Sequence, residues 1–402
     1  MTVTPAITIP PLDAAQREQL AASTAALLAL IAARGGWLPF DEYLQQALYA
    51  PGLGYYSAGA AKFGAAGDFV TAPEISPLFG ACVARQCAPL LVAGAEVLEL
   101  GAGSGVLAAT LLASLARLDA LPHRYYILEV SADLRERQRA RIATLPDSLR
   151  ARVQWLEVLP ARPLRGVVLA NEVADALPFQ CFAVTAGESS GREPDGHCYL
   201  ERGVAVGAGG ALRWEQRPAN AALSHELRRL SASLPRPFAP GFQSELCMRL
   251  DPWIAGLAAA LEAGMILLFD YGLGRSELFH PQRDSGTLRC HYRHRAHDDP
   301  FLYPGLQDIS AWVDFTRLAE AAGDAGLEVA GYCTQAAFLL GSGIELAMAE
   351  APDTGARARL AAQARELLMP GEMGETFKVM ALTRAVNVPF AGLTHQDLRR
   401  LL

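Results

Sequence analysis

The sequence predicts an α/β fold: a Rossmann-type, doubly wound, mostly parallel sheet with an N-terminal helical segment and inserted cap elements. Three observations carry this. Val97-Leu-Glu-Leu-Gly-Ala-Gly-Ser-Gly105 reads as a buried strand that runs into a glycine turn and then a helix. Strand and helix patterns alternate from residue 95 to 175, which is the signature of parallel βα units. With 402 residues, 51% of them hydrophobic, the chain is long enough to bury a large core.

In chain order, residues 14–50 carry Ala and Leu at helical spacing. Residues 51–80 are rich in Gly and Pro and read as a long ordered loop entering a helix. Strands are expected at 96–100, 125–130, 152–157 and 166–171, with helices at 106–118 and 132–144. Residues 179–220 form a β-rich excursion, with turns at Glu193-Pro-Asp-Gly196 and Gly207 to Gly210. A helix at 251–262 returns to a strand at 264–270. Residues 271–312 read as a polar loop; a helix at 314–325 and strands at 327–333 and 377–383 close the sheet. This divides the chain into an N-terminal segment and lid loop (1–80), a catalytic domain (81–178 and 263–385) and an inserted cap (179–262).

The glycine turn points to a ligand site at the end of a parallel strand, with helix N-terminal amides facing it. The spacing departs from a dinucleotide fingerprint: the third glycine comes one residue early, and Val106 occupies its expected place. Glu99 precedes the turn and would repel a pyrophosphate, whereas a cationic amino-acid headgroup would be welcome. S-adenosylmethionine carries an ammonium and a sulfonium and no phosphate, so the charge pattern suits it. Glu129 ends the next strand, where an acid can take the ribose hydroxyls of an adenosine; the alternative is an acid that stabilises a helix N-terminus. The expected cofactor-binding set is Glu99, Gly101, Gly103, Gly105, Glu129 and Glu157, together with Gly67, Asp68 and Thr71 from the upstream loop.

Several segments together resemble the MidA-like S-adenosylmethionine-dependent methyltransferases, whose mitochondrial members methylate an arginine of a respiratory complex I subunit during assembly. They are Pro51-Gly-Leu-Gly-Tyr-Tyr56, Gly67-Asp-Phe-Val-Thr-Ala-Pro-Glu-Ile-Ser76, Glu99-Leu-Gly-Ala-Gly-Ser-Gly105 and Asn171-Glu-Val-Ala-Asp-Ala-Leu-Pro178. Further along come Phe269-Asp-Tyr-Gly272, His297-Asp298, Val313-Asp-Phe315 and Gly371-Glu-Met-Gly-Glu-Thr-Phe-Lys378. The family often has Pro-Gly-Arg-Gly where this chain has Ala102-Gly-Ser-Gly105. The resemblance implies a class I methyltransferase-like sheet, S-adenosyl-L-methionine as cofactor and a client protein bearing an arginine.

Arginine is a demanding acceptor, because its guanidinium has a pKa above about 12 and no free lone pair. Carboxylates can grip it at two points and localise its charge away from the attacking nitrogen. Asn171, Glu172 and Asp175 follow the fourth strand, and Glu172 and Asp175 share a face if that segment turns helically. The alternative is a capped turn before Pro178. Upstream, Gly67, Asp68, Thr71 and Glu74 suit a lid over the cofactor, although Thr71-Ala-Pro-Glu74 also fits a capping box. Cys290, His291, His294 and His297 lack the paired spacing of a zinc site, so no metal is expected and His297 or Asp298 is read as an acceptor-site or proton-handling group. Tyr55, Tyr56, Phe69 and Tyr271 could wall a cation site or simply pack. Arg135 to Arg141 reads as a solvated helix face.

A net charge of −7 argues against nucleic acid as partner. Seven scattered cysteines fit a reducing compartment, and Met1 to Asp13 lacks a basic leader, so a cytoplasmic location without a membrane span is expected. A homodimer is compatible with all of this. Two other functions stay open: an assembly or interaction protein that keeps the fold without catalysis, and a methyltransferase for RNA or a small molecule.

Overall fold

The computed structural model describes residues 9–57, 70–187 and 197–402. By contact the chain divides into two compact units: Met1–Phe69, Ala176–Arg249 and Arg275–Trp312 form one, and Val70–Asp175, Leu250–Gly274 and Val313–Leu402 form the other. The N-terminal segment, the insertion and the 275–312 stretch are thus one body, where the sequence suggested separate regions.

The second unit holds the larger sheet. Its strands are β1 (Glu96–Leu100), β2 (Arg124–Leu128), β3 (Val153–Leu156), β4 (Leu164–Asn171), β5 (Leu261–Leu273), β6 (Glu328–Thr334) and β7 (Phe377–Arg384). They lie in the order β6-β7-β5-β4-β1-β2-β3, and a two-residue strand at Val313–Asp314 is added beside the end of β5. From β5 through β3 all neighbours are parallel, with Leu98 opposite both Val168 and Tyr126. Strand β7 runs against its neighbours β5 and β6. Every residue of β1 is buried, as a central parallel strand covered on both faces requires. Helices Pro77–Cys87 and Val106–Arg117 bury Phe79, Leu111 and Leu115 in one core with Val97, Val167 and Leu267. Phe269 sits there between Phe79 and Phe338, its ring edge-on to each at 5.0 and 5.1 Å. Helices Leu250–Ala259 and Phe315–Asp324 pack on each other, locked by Arg317, which donates to both oxygens of Asp251 at 2.7 and 2.6 Å. Helices at Gln335–Gly341, Ile344–Ala349 and Thr354–Leu368 complete the unit.

The first unit corrects two expectations. Residues 14–50 are not one helical stretch: the helix Ala14–Ala33 stops, Gly35 and Gly36 turn through φ of 74° and 87°, and Trp37–Pro39 becomes a strand before the helix Phe40–Tyr49. That strand pairs antiparallel with Gly203–Ala205 of the insertion, a pairing too distant in sequence for local patterning to reveal. Residues 271–312 are not a loop either. They carry a three-stranded sheet of Arg289–Tyr292, Arg295–His297 and Asp308–Ser310. The insertion is β-rich as expected, with strands Gln180–Ala186, His197–Val206, Leu212–Pro218 and Gln243–Leu246 in one antiparallel sheet with Trp37–Pro39. The turn expected at Glu193–Gly196 lies outside the described residues; the one at Gly207 is present, its N–H donating to Ala211 O at 2.7 Å.

Candidate active site

Building upward from β1, the chain leaves Leu100 and turns through Gly101, Gly103 and Gly105 at φ of 57°, 53° and 81°, the left-handed region that only glycine enters without strain. Gly105 caps the helix that starts at Val106. A Cβ on Gly101 would meet only Val173, at 3.6 Å, so its glycine is demanded by the backbone turn and not by crowding within the chain.

Glu129 stands just past β2, buried, with one carboxylate oxygen accepting from the Ser131 N–H at 2.9 Å and the other from the Gln138 amide at 3.0 Å. Glu99 is buried within β1, and the Tyr125 hydroxyl donates to it at 2.6 Å. Burial pushes the Glu99 carboxyl up to about 7; the Tyr125 hydrogen bond opposes this and the charge of Glu129 adds to it. The structure thus places a glycine turn after β1 and a buried acid just past β2, joined through Gln138.

At the ends of β4 and β5, three carboxylates gather. Asn171 closes β4 and its side-chain amide donates to Glu172 Oε1 at 3.2 Å. Glu172 itself has φ of 54° while its N–H continues the ladder to Phe269 O at 2.8 Å. Asp270 on β5 reaches across: its Oδ2 accepts from the N–H groups of Ala174 and Asp175 at 2.9 and 3.3 Å. Burial, then the charges of Asp175 and Glu172, hold the Asp270 carboxyl well above the usual range, while those two N–H bonds oppose the rise. Asn171, Glu172 and Asp175 thus lie around Asp270, but not through the expected helical turn: no helix forms at 171–178 and Glu172 has φ of 54°. Asp270 was missed, although an acid at a parallel strand's carboxyl end, inside Phe269-Asp-Tyr-Gly272, was the available signal. Tyr271, beside it, packs edge-on against Phe377 at 5.5 Å.

Thr71 precedes a short helix, Ala72–Ile75, but the capping box does not form: its side chain caps nothing, and Glu74 instead bonds the Ser104 hydroxyl of the glycine turn. Ser76 caps the following helix in its stead, accepting from Leu78 N. The 71–76 segment is therefore tied to the turn, in the place foreseen for a lid. Gly67, Asp68 and Phe69 lie outside the described residues. Glu157 is exposed and ion-paired with Arg135. His297 belongs to the first unit, on the hairpin where it opposes Cys290. Its Nδ1 accepts from Asp299 N at 3.3 Å, and burial lowers its pKa. Tyr55 and Tyr56 pack edge-on in that unit, and Tyr56 donates to Asp308 at 2.8 Å. No group of three or more His, Cys, Asp and Glu fit to hold a metal occurs among the described residues. Gln138 was also missed. It lies in the arginine-rich run read as solvated, but Leu134, Gln138 and Ile142 fall at helical spacing on the buried stripe.

Residues 82–333 match the sequence profile of a family described as "Putative S-adenosyl-L-methionine-dependent methyltransferase". A Burkholderia thailandensis protein crystallised with S-adenosyl-homocysteine bound is 40% identical, with a TM-score of 0.89 over 98% of this chain and 100% of that one. A native crystal structure from the same organism gives 39% and 0.86 with the same coverage. The zebrafish (Danio rerio) mitochondrial protein arginine methyltransferase NDUFAF7 is 28% identical over 90% of each chain, and the human one 26% over 86% of this chain and 80% of its own. With the glycine turn, Glu129 and the parallel sheet in place, the chain belongs to this family of S-adenosyl-L-methionine-dependent methyltransferases, and S-adenosyl-L-methionine is its cofactor.

Proposed function

We propose that the protein methylates an arginine side chain of a client protein. The observation that carries the reading is the gathering of Glu172, Asp175 and Asp270 at the ends of adjacent parallel strands. The names of its mitochondrial relatives support it. A subunit of respiratory complex I, suggested by the family resemblance, is the first client to try. Glu99, Gly101, Gly103, Gly105 and Glu129 hold the cofactor, Glu129 at the ribose; Glu74 bears on the turn through Ser104. When bound, S-adenosyl-L-methionine supplies an electrophilic methyl group on its sulfonium.

The residues of this chain do the rest by positioning and charge. Glu172 and Asp175 take the acceptor guanidinium at two points, which holds its charge on the gripped nitrogens and leaves the third with more lone-pair character. As the new N–C bond forms, that nitrogen must lose one proton, because the methylated guanidinium product is again a monocation. Water takes it after transfer, since Glu172 and Asp175 stay on the gripped nitrogens. Asp270 does not reach for the acceptor; it fixes the turn that carries Asp175 through two N–H bonds. Asn171 orients Glu172.

The test is Glu172→Gln. Transfer of labelled methyl to protein in a lysate should fall about a hundredfold, while affinity for S-adenosylhomocysteine stays within about twofold. Equal transfer by the variant would make the carboxylate structural. A client that still binds wild-type protein but never gains label would turn the reading toward a non-catalytic assembly factor.

A further inference from the structure

Gln138 is completely buried on a helix that otherwise shows arginines to solvent, and it is bonded at both ends of its amide. Its Nε2 donates to Gly103 O in the turn and to Glu129 Oε2, each at 3.0 Å, and its Oε1 accepts from the Trp155 indole at 2.9 Å. An indole N–H can only donate, so Trp155 fixes which end of the amide is oxygen and turns the NH₂ toward the two acceptors. The Arg139 guanidinium lies over that indole ring, 5.3 Å from its centre. The helix also presses on the turn itself: a Cβ at Gly105 would lie 3.3 Å from Gln138 Cα. One side chain therefore links the glycine turn beyond β1, the acid beyond β2, and strand β3.

We propose that Gln138 is a positioning residue that holds the Glu129 carboxylate beside the glycine turn and so sets affinity for the cofactor's ribose. This rests on the reading of Glu129 as the ribose-binding acid. Filling space does not call for glutamine here, since its neighbours on the same stripe, Leu134 and Ile142, are apolar. A charge-bearing acceptor at Glu129, by contrast, gains from a donor that fixes its rotamer before the ligand arrives. If Gln138 acted only on folding, its loss would weaken all ligands alike.

The experiment is calorimetric binding of S-adenosylhomocysteine and of its 2′-deoxy analogue to the full chain. Gln138→Met, similar in length and without donors, should weaken S-adenosylhomocysteine about tenfold and the deoxy analogue less than about threefold. In a Glu129→Gln background the same change should add less than about threefold. Trp155→Phe, which removes the orienting N–H, should shift affinity in the same ligand-selective way by about threefold, and it serves if the first variant does not fold. Equal weakening of both ligands, or no weakening at all, while Glu129→Gln abolishes the preference for the 2′-hydroxyl, overturns the inference and leaves the ribose reading standing. Glu129→Gln with the preference intact overturns the ribose reading and this inference with it.

Discussion

Glu172 keeps a left-handed backbone one residue beyond the end of β4. For a residue with a Cβ this costs about 1–2 kcal/mol, and such strain persists where the surroundings fix it, often at functional sites. Glu172→Gly should therefore leave the cofactor-free protein as stable or about 0.5–1 kcal/mol more so in urea unfolding, while methyl transfer is lost. A clear loss of stability would mean that the side chain holds the turn. Glu99 gives a second residue-scale expectation. Its carboxyl is raised from 4.5 to about 7 by burial, so folding favours the protonated form. That contribution is complete below about pH 4.5 and is lost as pH rises through 7. Cofactor-free Glu99→Gln should thus gain on the wild type between these values, by on the order of 3 kcal/mol once pH exceeds 8. A stability difference that does not change from pH 5 to 8 would contradict the buried placement. At this scale the sequence announced the acids at 99, 129, 172 and 175, because each ends a strand or sits in a motif. Asp270 and Gln138 also carried a local signal, a strand-end acid in a motif and a place on a buried helical stripe, but their partners lie across strands and helices and could not be read from sequence.

At the scale of elements, the turn between β1 and its helix is the best-defined device in the chain. Gly101→Val places a β-branched residue at φ of 57°, which costs more than most turns tolerate. Binding of S-adenosylhomocysteine should drop below detection by calorimetry, and unchanged binding would move the site elsewhere. Glu74→Ala removes the tie from the 71–76 segment to Ser104. It should weaken cofactor binding by about three- to tenfold with little change in melting temperature, if that segment closes on the turn. The parallel strands were legible because each is a short apolar run bounded by turn signals. The alternative at Thr71-Ala-Pro-Glu74, a helix start, holds at Ala72, but its capping box does not form because Glu74 bonds Ser104 in the turn. The strands in 289–310 were invisible because their composition is polar and rich in Arg and His.

For the whole molecule, the chain passes repeatedly between two compact units, and the one with β1 to β7 carries the glycine turn, Glu129 and the carboxylates at the ends of β4 and β5. Saturation with S-adenosylhomocysteine at about a hundred times its Kd should add about 2.7 kcal/mol and raise the melting temperature by roughly 3–6 °C. The overall class was readable from alternation and length, while the makeup of the first unit was not. It depends on Trp37–Pro39 joining a sheet formed far along the chain. The claim that matters most is chemical: methyl goes to a protein arginine. Incubating the protein with isotopically labelled S-adenosyl-L-methionine and a lysate, then sequencing the labelled peptides by tandem mass spectrometry, tests it directly. Label is expected on the side-chain nitrogens of an arginine in one or a few proteins, and nearly none when Glu172→Gln replaces the wild type. Label confined to lysine, RNA or small molecules would contradict the claim.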